Sequence, residues 1–229
     1  MRQIFELCGG NRDVQFSPFC WVTRLCLKHK GLDVEVVPVK FLEKEPFAES
    51  GSTSVPVLKD GDKWVSDSFE IAKYLEATYE GPSLFGGAMG EALAPMLRGF
   101  IVNTALAKLF PMLAADVCRV QDEENAAYFR QTREPRLGRT LEEAATTRDT
   151  DIIEWRKTLA PIRLCLEANP YLCGDAPAFM DYVLFAVFKW AHTVSDFELL
   201  EKDDILYAWR ERMMDLYDGY ARKAARLQG

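Results

Sequence analysis

The chain has 229 residues, of which 48% are hydrophobic and 28% charged, with a formal net charge of −7. This composition is that of a soluble globular protein with a sizeable core, in one large domain or two modest ones. The acidic balance, without a basic run interleaved with aromatic residues, argues against nucleic acid as a partner. The N-terminus lacks the apolar core of a signal peptide, and no uninterrupted apolar segment approaches membrane-spanning length. We therefore expect a cytoplasmic protein without a membrane partner.

The six cysteines are scattered without a repeated spacing, so we expect buried thiols rather than a disulfide framework. Only His29 and His192 are available as imidazole ligands, far apart and without paired cysteines nearby. This arrangement argues against a structural zinc site, and we expect no metal.

The first 80 residues open with a strand–helix–strand pattern. Residues 3–8 predict a strand, after which Ser17 has the position of an N-cap and Pro18 that of the first helical residue. The helix is predicted to end near Gly31, and residues 34–39 predict a second strand. This order is typical of a parallel strand pair.

A hairpin and a helix complete this region. A short helix is predicted around residues 43–49, and a β-hairpin that turns at Asp60-Gly61 follows it. Asp67-Ser68-Phe69-Glu70 has the character of a capping box and opens a helix through Tyr79. The predicted order is β-α-β-α-β-β-α within about 80 residues, and this length is common for a small domain.

No strand signal returns after a linker at residues 81–91. A long helix is predicted over residues 93–113, with Pro111 bending or stopping it. Residues 121–149 predict two helices with a break at 135–138. Further helices are predicted over 152–168, 179–194 and 205–225. The helix at 179–194 is nearly all apolar and should be buried at the centre. Basic residues 222, 223 and 226 suit the C-terminal dipole of the last helix.

Four local motifs, in this order and spacing, resemble those of the glutathione transferase family: Ser17-Pro18-Phe19-Cys20-Trp21, Val55-Pro56, Asp67-Ser68, and Gly174-Asp175-Ala176-Pro177 with Phe179 and Asp181. The resemblance implies a fold of the α/β plus all-α class. A thioredoxin-like glutathione-binding domain at residues 1–80 would be followed by a linker at 81–91 and an all-helical bundle domain at 92–229. It also implies a symmetric homodimer.

The first motif and the flanking sequence are similar to the serine-type subgroup that holds the bacterial lignin β-aryl etherases and their fungal relatives. Members use glutathione to displace a phenolate from an aryl ether, or bind bulky aromatic compounds. One departure is Ala178, where the family usually has a serine or threonine cap. Its loss costs about 1 kcal/mol, although Asp181 can still reach back to the backbone.

The side chain of Ser17 can be interpreted in two ways. From the residues alone it is a helix cap. The resemblance implies that its hydroxyl and the positive end of the helix stabilise a glutathione thiolate, because a thiol with a pKa of about 8.5 is mostly protonated at neutral pH.

The resemblance implies further glutathione ligands. Asp67 and Ser68 would hold the α-ammonium and α-carboxylate of the γ-glutamyl end. Val55, before a cis Pro56, would pair with the cysteinyl backbone. Lys40 and Lys44 are candidates for the glycyl carboxylate, although from the residues alone each is a solvated loop charge.

A hydrophobic aromatic molecule is the implied second substrate. Its pocket would lie between the domains, with Phe16 and Phe19 as the floor and Leu97, Phe100 and Ile101 as the wall.

Two other functions stay open from the sequence. One is a non-enzymatic binder of aromatic ligands on the same fold. The other is a glutathione-dependent thiol oxidoreductase that works through Cys20, although serine replaces the first cysteine of a Cys-x-x-Cys pair.

Overall fold

The computed structural model describes residues 1–227, and its N-terminal region is a thioredoxin-like domain, as predicted. In chain order its elements are β1 (Arg2–Leu7), α1 (Pro18–His29), β2 (Glu35–Val39), a 3₁₀ segment (Glu45–Ser50), β3 (Val57–Asp60), β4 (Lys63–Ser66) and α2 (Ser68–Thr78). The sheet order is β2-β1-β3-β4, with β1 parallel to β2 and antiparallel to β3. The predicted parallel pair and hairpin are therefore both present.

The rest of the described chain is helical. Its elements are α3 (Ala88–Ile101), a π-helical turn (Val102–Leu106), α4 (Ala107–Arg119), α5 (Glu123–Leu137), α6 (Leu141–Ala145), α7 (Arg148–Thr158), α8 (Ala160–Ala168), α9 (Phe179–Val194) and α10 (Ile205–Gly219). Helix α3 begins at Ala88, so its first turn lies within the predicted linker at 81–91. The predicted fold class is confirmed.

The two predicted proline sites have different outcomes. Pro111 lies inside α4 and does not stop the helix, whereas the predicted break at 135–138 is present, because α5 ends at Leu137 although Pro135 itself is helical. The long helix is instead distorted one turn before Pro111, where the π-helical turn relaxes the i→i−4 ladder. The C-cap of α5 is Gly138, which adopts the left-handed conformation that glycine permits.

The predictions for the last helices also need correction. The segment 152–168 is two helices joined at Leu159, because Pro161 has no N–H and is accommodated in the first turn of a new helix. Helix α10 ends at Gly219. Arg222 therefore lies beyond the helix and pairs with Asp215 and Glu211 instead of facing its dipole.

The continuous helical run Ala88–Arg119 is long and apolar enough by length and composition to cross a membrane, contrary to the sequence-based expectation. It packs against α6, α7 and α9, and its buried residues belong to the main hydrophobic core. The run is therefore a core element of the helical domain.

Helix α9 is the centre of the molecule, and almost every residue in it is buried. Asp181, fully buried in its first turn, supplies the reciprocal half of a capping box, because its carboxylate accepts the N–H of the N-cap residue Ala178, which has no hydroxyl of its own. Its carboxylate accepts hydrogen bonds from the backbone N–H groups of Leu172, Cys173 and Ala178 and from the indole of Trp209. One side chain thus fixes the start of α9, the preceding turn and α10.

Helix α1 joins the two domains because it packs on α2 on one side and on α9 on the other. Arg24 donates to the hydroxyl of Tyr220 at 2.8 Å, and His29 Nδ1 lies 2.7 Å from the hydroxyl of Tyr182. Lys189 of α9 is fully buried in this interface, with its ammonium 5.1 Å from the centre of the Trp21 ring. No hydrogen-bond partner for Lys189 Nζ occurs among residues 1–227.

We expect Asp181→Ala to lower the free energy of unfolding by about 2–4 kcal/mol, because several buried N–H donors lose their acceptor. Chemical denaturation measures this loss. Asp175→Ala, in the exposed part of the same turn, is the matched control and should change stability by less than about 0.5 kcal/mol. Equal effects of the two substitutions would contradict the capping role.

We expect Lys189→Met to raise the free energy of unfolding at pH 7 by about 1–3 kcal/mol, because it removes a buried charge without a hydrogen-bond partner. Burial lowers the pKa of Lys189 to about 8 from its ordinary 10.5. Between these two pKa values the unfolded chain binds more protons at Lys189 than the folded chain does. The free energy of unfolding of the wild type therefore rises with pH, and the advantage of Lys189→Met shrinks.

Denaturant titrations at pH 7 and pH 10 test this trend, with exposed Lys157→Met as the control. A loss of stability that is the same at both pH values would show that the contact with Trp21 outweighs the burial of the charge.

Candidate functional site

A cleft of about 650 Å³ lies between the two domains. The first turn of α1, the segment after β2 and the residues before β3 form one side of it. The π-helical turn, α4, α5 and Trp190 of α9 form the other. Sequence-predicted residues that line it are Phe16, Ser17, Phe19, Lys40, Lys44 and Val55.

Ser17 is the N-cap of α1, as predicted, and its side chain is at the cleft. Its Oγ accepts the backbone N–H of Cys20 at 3.4 Å, and Pro18 occupies the first helical position. The hydroxyl also lies close enough to the Cys20 thiol to lower its pKa. At the positive end of α1, the same hydroxyl proton can be given to an anion in the cleft.

Cys20 lies one turn further into α1 and is 1% exposed. Burial raises the pKa of its thiol to about 12, with a further contribution from the Glu6 carboxylate, against a smaller lowering by the Ser17 hydroxyl. A thiol in this state is a poor nucleophile at neutral pH because almost none of it is thiolate. The environment of Cys20 is that of a packing residue.

Val55 and Pro56 lie directly before β3, and the peptide bond between them is cis. Pro56 is buried, whereas Val55 is partly exposed and lines the cleft. The backbone of Val55 is outside the strand pairing of β3 with β1, which begins at Val57. It is therefore available to an extended peptide ligand.

Asp67 is the N-cap of α2, and its Oδ1 accepts the N–H groups of Phe69 and Glu70. Its φ of +74° lies in a region that non-glycine residues rarely adopt. The other carboxylate oxygen accepts from Arg98 of α3 at 3.1 Å, so the pair bridges the two domains. Ser68 and Arg98 line a narrow recess that shares Pro18, Phe19, Val102 and Leu106 with the cleft.

Lys40 and Lys44 differ in their partners although both line the cleft. The ammonium of Lys40 lies 2.7 Å from Oδ2 of Asp122, the N-cap of α5. This contact holds the pKa of Asp122 at about 2. Lys44 is exposed and has no carboxylate within salt-bridge distance among the described residues; its ammonium is 5.8 Å from the Phe47 ring.

The structure places Leu97, Phe100 and Ile101 outside the cleft that contains Ser17. They line a separate apolar cavity of about 360 Å³ against Pro161, Ile162 and Met180. The wall of the cleft comes from the next part of the same helical run, at Val102, Leu106 and Phe110. The helical run that contains the three predicted residues thus lines two cavities, because its apolar residues cover more than one face.

Several cleft residues were missed by sequence reasoning. Phe41, Tyr128, Phe129, Arg133 and Arg136 line it, and so does Trp190, which stacks on Phe110 with 6.3 Å between the ring centres. They come from three separate segments, and none has a local pattern that marks it. Of the six cysteines, Cys173 is exposed, contrary to the expectation of buried thiols.

Comparison with protein families matches both domains. Residues 16–78 match the glutathione S-transferase N-terminal domain, and residues 92–221 match the glutathione S-transferase C-terminal domain.

Curated relatives agree with this assignment. The glutathione S-transferase-like protein ustS of Aspergillus flavus is 29% identical over 68% of this chain and 56% of its own length. Glutathione S-transferase 4 of Zea mays is 26% identical over 75% of this chain and 72% of its own length. The chain thus spans little more than half of the fungal relative.

Solved structures share the fold. Glutathione transferase GSTFuA3 of Phanerochaete chrysosporium superposes with a TM-score of 0.77 at 26% identity, covering 96% of this chain and 93% of that one. A glutathione S-transferase of Ceriporiopsis subvermispora, solved in complex with glutathione, gives 0.78 at 22% identity over 97% and 94%. With both domain models matched in sequence order, the chain belongs to the glutathione S-transferase family.

Proposed function

We propose that the protein is a serine-type glutathione transferase in which Ser17 stabilises the thiolate of glutathione. The observation that carries this proposal is the position of the Ser17 hydroxyl, at the positive end of α1 and on the wall of the cleft. A donated hydrogen bond and the helix dipole both favour the charged form of the sulfur and lower its pKa.

In this proposal, glutathione runs along the N-terminal domain. Its cysteinyl backbone pairs with Val55 in the cleft, and its γ-glutamyl end lies at Ser68, which lines the narrow recess, and at the neighbouring Asp67. Arg98 supports Asp67 through their ion pair, which adds a contact at Oδ2 to the two backbone N–H groups that already hold Oδ1. The unusual φ of Asp67 supports a functional role, because backbone strain of this kind persists mainly at binding sites.

The glycyl carboxylate is assigned to Lys44 rather than to Lys40. Lys40 is already paired with Asp122, so a second anion would have to compete with that carboxylate. Lys44 offers an uncompensated cation at the same end of the cleft. Lys40 then serves to hold the segment after β2 against α5.

The thiolate attacks an electrophilic carbon of an aromatic acceptor. A C–S bond forms, the bond to the leaving group breaks, and a halide or phenolate departs with the electron pair while the thiol proton goes to solvent. Aryl ethers are included as acceptors because a phenolate is a competent leaving group. The aromatic lining at Phe16, Phe19, Phe41 and Phe110 supports an aromatic acceptor.

A symmetric homodimer in the cytoplasm completes the proposal. Large apolar side chains of α3 are exposed in the single chain: Met89 is 79% exposed and Met96 is 64% exposed. Such a patch supports association with a second copy.

We expect Ser17→Ala to lower kcat/KM for an aryl halide by about 10- to 100-fold while glutathione binding is mostly kept, because the lost hydrogen bond acts on the reacting sulfur. Cys20→Ala, at the adjacent turn, is the control and should retain most of the activity. Turnover of a chromogenic β-aryl ether and a generic aryl halide with glutathione provides both measurements.

The same assay separates the alternatives. Turnover of the halide alone would exclude aryl ethers as acceptors. Turnover of neither acceptor would favour a non-enzymatic binder. Activity that survives in Ser17→Ala and is lost in Cys20→Ala would contradict the proposal in favour of the thiol enzyme.

We expect Lys44→Ala to raise KM for glutathione severalfold with little change in kcat, because the contact is equal in the ground state and the transition state. Lys63→Ala, an exposed residue outside the cleft, is the control. Steady-state kinetics with varied glutathione measure the effect. An unchanged KM in Lys44→Ala, with a raised KM in Lys40→Ala, would reverse the assignment.

A further inference from the structure

We infer that the cleft selects an aromatic ligand that carries an acidic group, and that Arg133 binds this group. The inference rests on the proposed function, since it names the class of acceptor for the same cleft. Lys40, Lys44, Arg133 and Arg136 all line the cleft, and none of its lining residues in the described chain is acidic. In a protein of net charge −7, this is a local reversal of charge.

The four basic side chains of the cleft differ in the anions that they pair with. Asp122 compensates Lys40, and Lys44 is assigned to the glycyl carboxylate of glutathione. Arg133 and Arg136 remain, both on the last turns of α5, on the helical-domain side of the cleft. Arg136 is exposed, whereas Arg133 is partly buried, so Arg133 is the better placed to bind a ligand inside the cleft.

Arg133 lies among aromatic rings rather than carboxylates. Its guanidinium carbon is 5.1 Å from the centre of the Phe129 ring and 5.4 Å from that of Phe41. One nitrogen donates to the Thr132 hydroxyl at 2.7 Å, and no salt bridge to Arg133 occurs among residues 1–227. By contrast, Arg130, one turn earlier, pairs with Glu134 and Glu142.

The rings connect Arg133 to the reacting end of the cleft. Phe41 lies 6.1 Å from Phe16, the neighbour of Ser17, and 5.7 Å from Phe129. A planar ligand along these rings would have its electrophilic carbon toward Ser17 and its acidic group toward α5. A guanidinium held against aromatic faces is suited to such an anion, because it stacks on rings and donates paired hydrogen bonds to a carboxylate or sulfonate.

The test compares an acid with its neutral counterpart. Binding of unreactive 3-nitrobenzoate and 3-nitrobenzamide is measured by quenching of tryptophan fluorescence, for which Trp190 lines the cleft. We expect the wild type to bind the acid about tenfold more tightly than the amide, as a charge-assisted hydrogen bond allows. Arg133→Gln should remove this preference by weakening only the acid, and Arg133→Lys should restore part of it.

Arg139→Gln, an exposed arginine just beyond α5, is the control and should keep the preference. Equal affinity of the wild type for acid and amide would overturn the inference. So would an Arg133→Gln variant that weakens both ligands equally, or one that instead raises KM for glutathione, since Arg133 would then bind the glycyl carboxylate.

A kinetic measurement separates this inference from the proposed function. With 4-chloro-3-nitrobenzoate and the corresponding amide as acceptors, Arg133→Gln should raise KM for the acid alone and leave kcat nearly unchanged. Absence of turnover with both acceptors would contradict the transferase, while the fluorescence titration would still decide the preference for the acid.

Discussion

Helix α1 lies between the sheet domain and α9, and this packing fixes where its N-terminus points. Trp21 and Leu25 are buried on its inner faces, and Arg24 and His29 tie it to tyrosines of the helical domain. Helix α9 is itself held at its start by the four hydrogen bonds to Asp181. The position of Ser17 therefore depends on the assembly of both domains, although Ser17 belongs to only one of them. Loss of the Asp181 cap should therefore change the position of Ser17 in the cleft as well as lower the free energy of unfolding.

The cleft combines two electrostatic environments. At the N-terminus of α1 the favourable groups are a hydroxyl and a helix dipole, which act on a sulfur without adding a competing charge. On α5 a guanidinium surrounded by rings provides a full charge at a distance from that sulfur. The first arrangement suits activation of a nucleophile, and the second suits orientation of an acceptor. The deep burial and raised pKa of Cys20 make its own thiol a poor nucleophile, which agrees with the proposal that a bound glutathione supplies the reacting sulfur.

Much of the N-terminal domain could be predicted because its signals are local. Ser17-Pro18 marks a helix start by itself, Asp60-Gly61 marks a turn, and Asp67 caps the helix that it precedes. The helical domain was predicted less well where tertiary packing decides the outcome. Pro111 is tolerated inside a long helix because the adjacent π-helical turn absorbs the distortion, and this turn leaves no mark in the sequence. The predicted wall at Leu97, Phe100 and Ile101 faces another cavity for a related reason, since apolar periodicity does not say which partner a face will meet. Arg133 and its aromatic neighbours are distant in sequence, so only the fold brings them together.

The most direct test of the account is the ionisation of glutathione bound to the protein. The ultraviolet absorbance of the thiolate can be titrated with pH in the binary complex, for the wild type and for Ser17→Ala. We expect the wild type to lower the pKa of the bound thiol by about one to two pH units from its free value of about 8.5, and Ser17→Ala to reverse most of this decrease. A bound thiol that titrates at the same pH in both proteins would contradict the central role of Ser17.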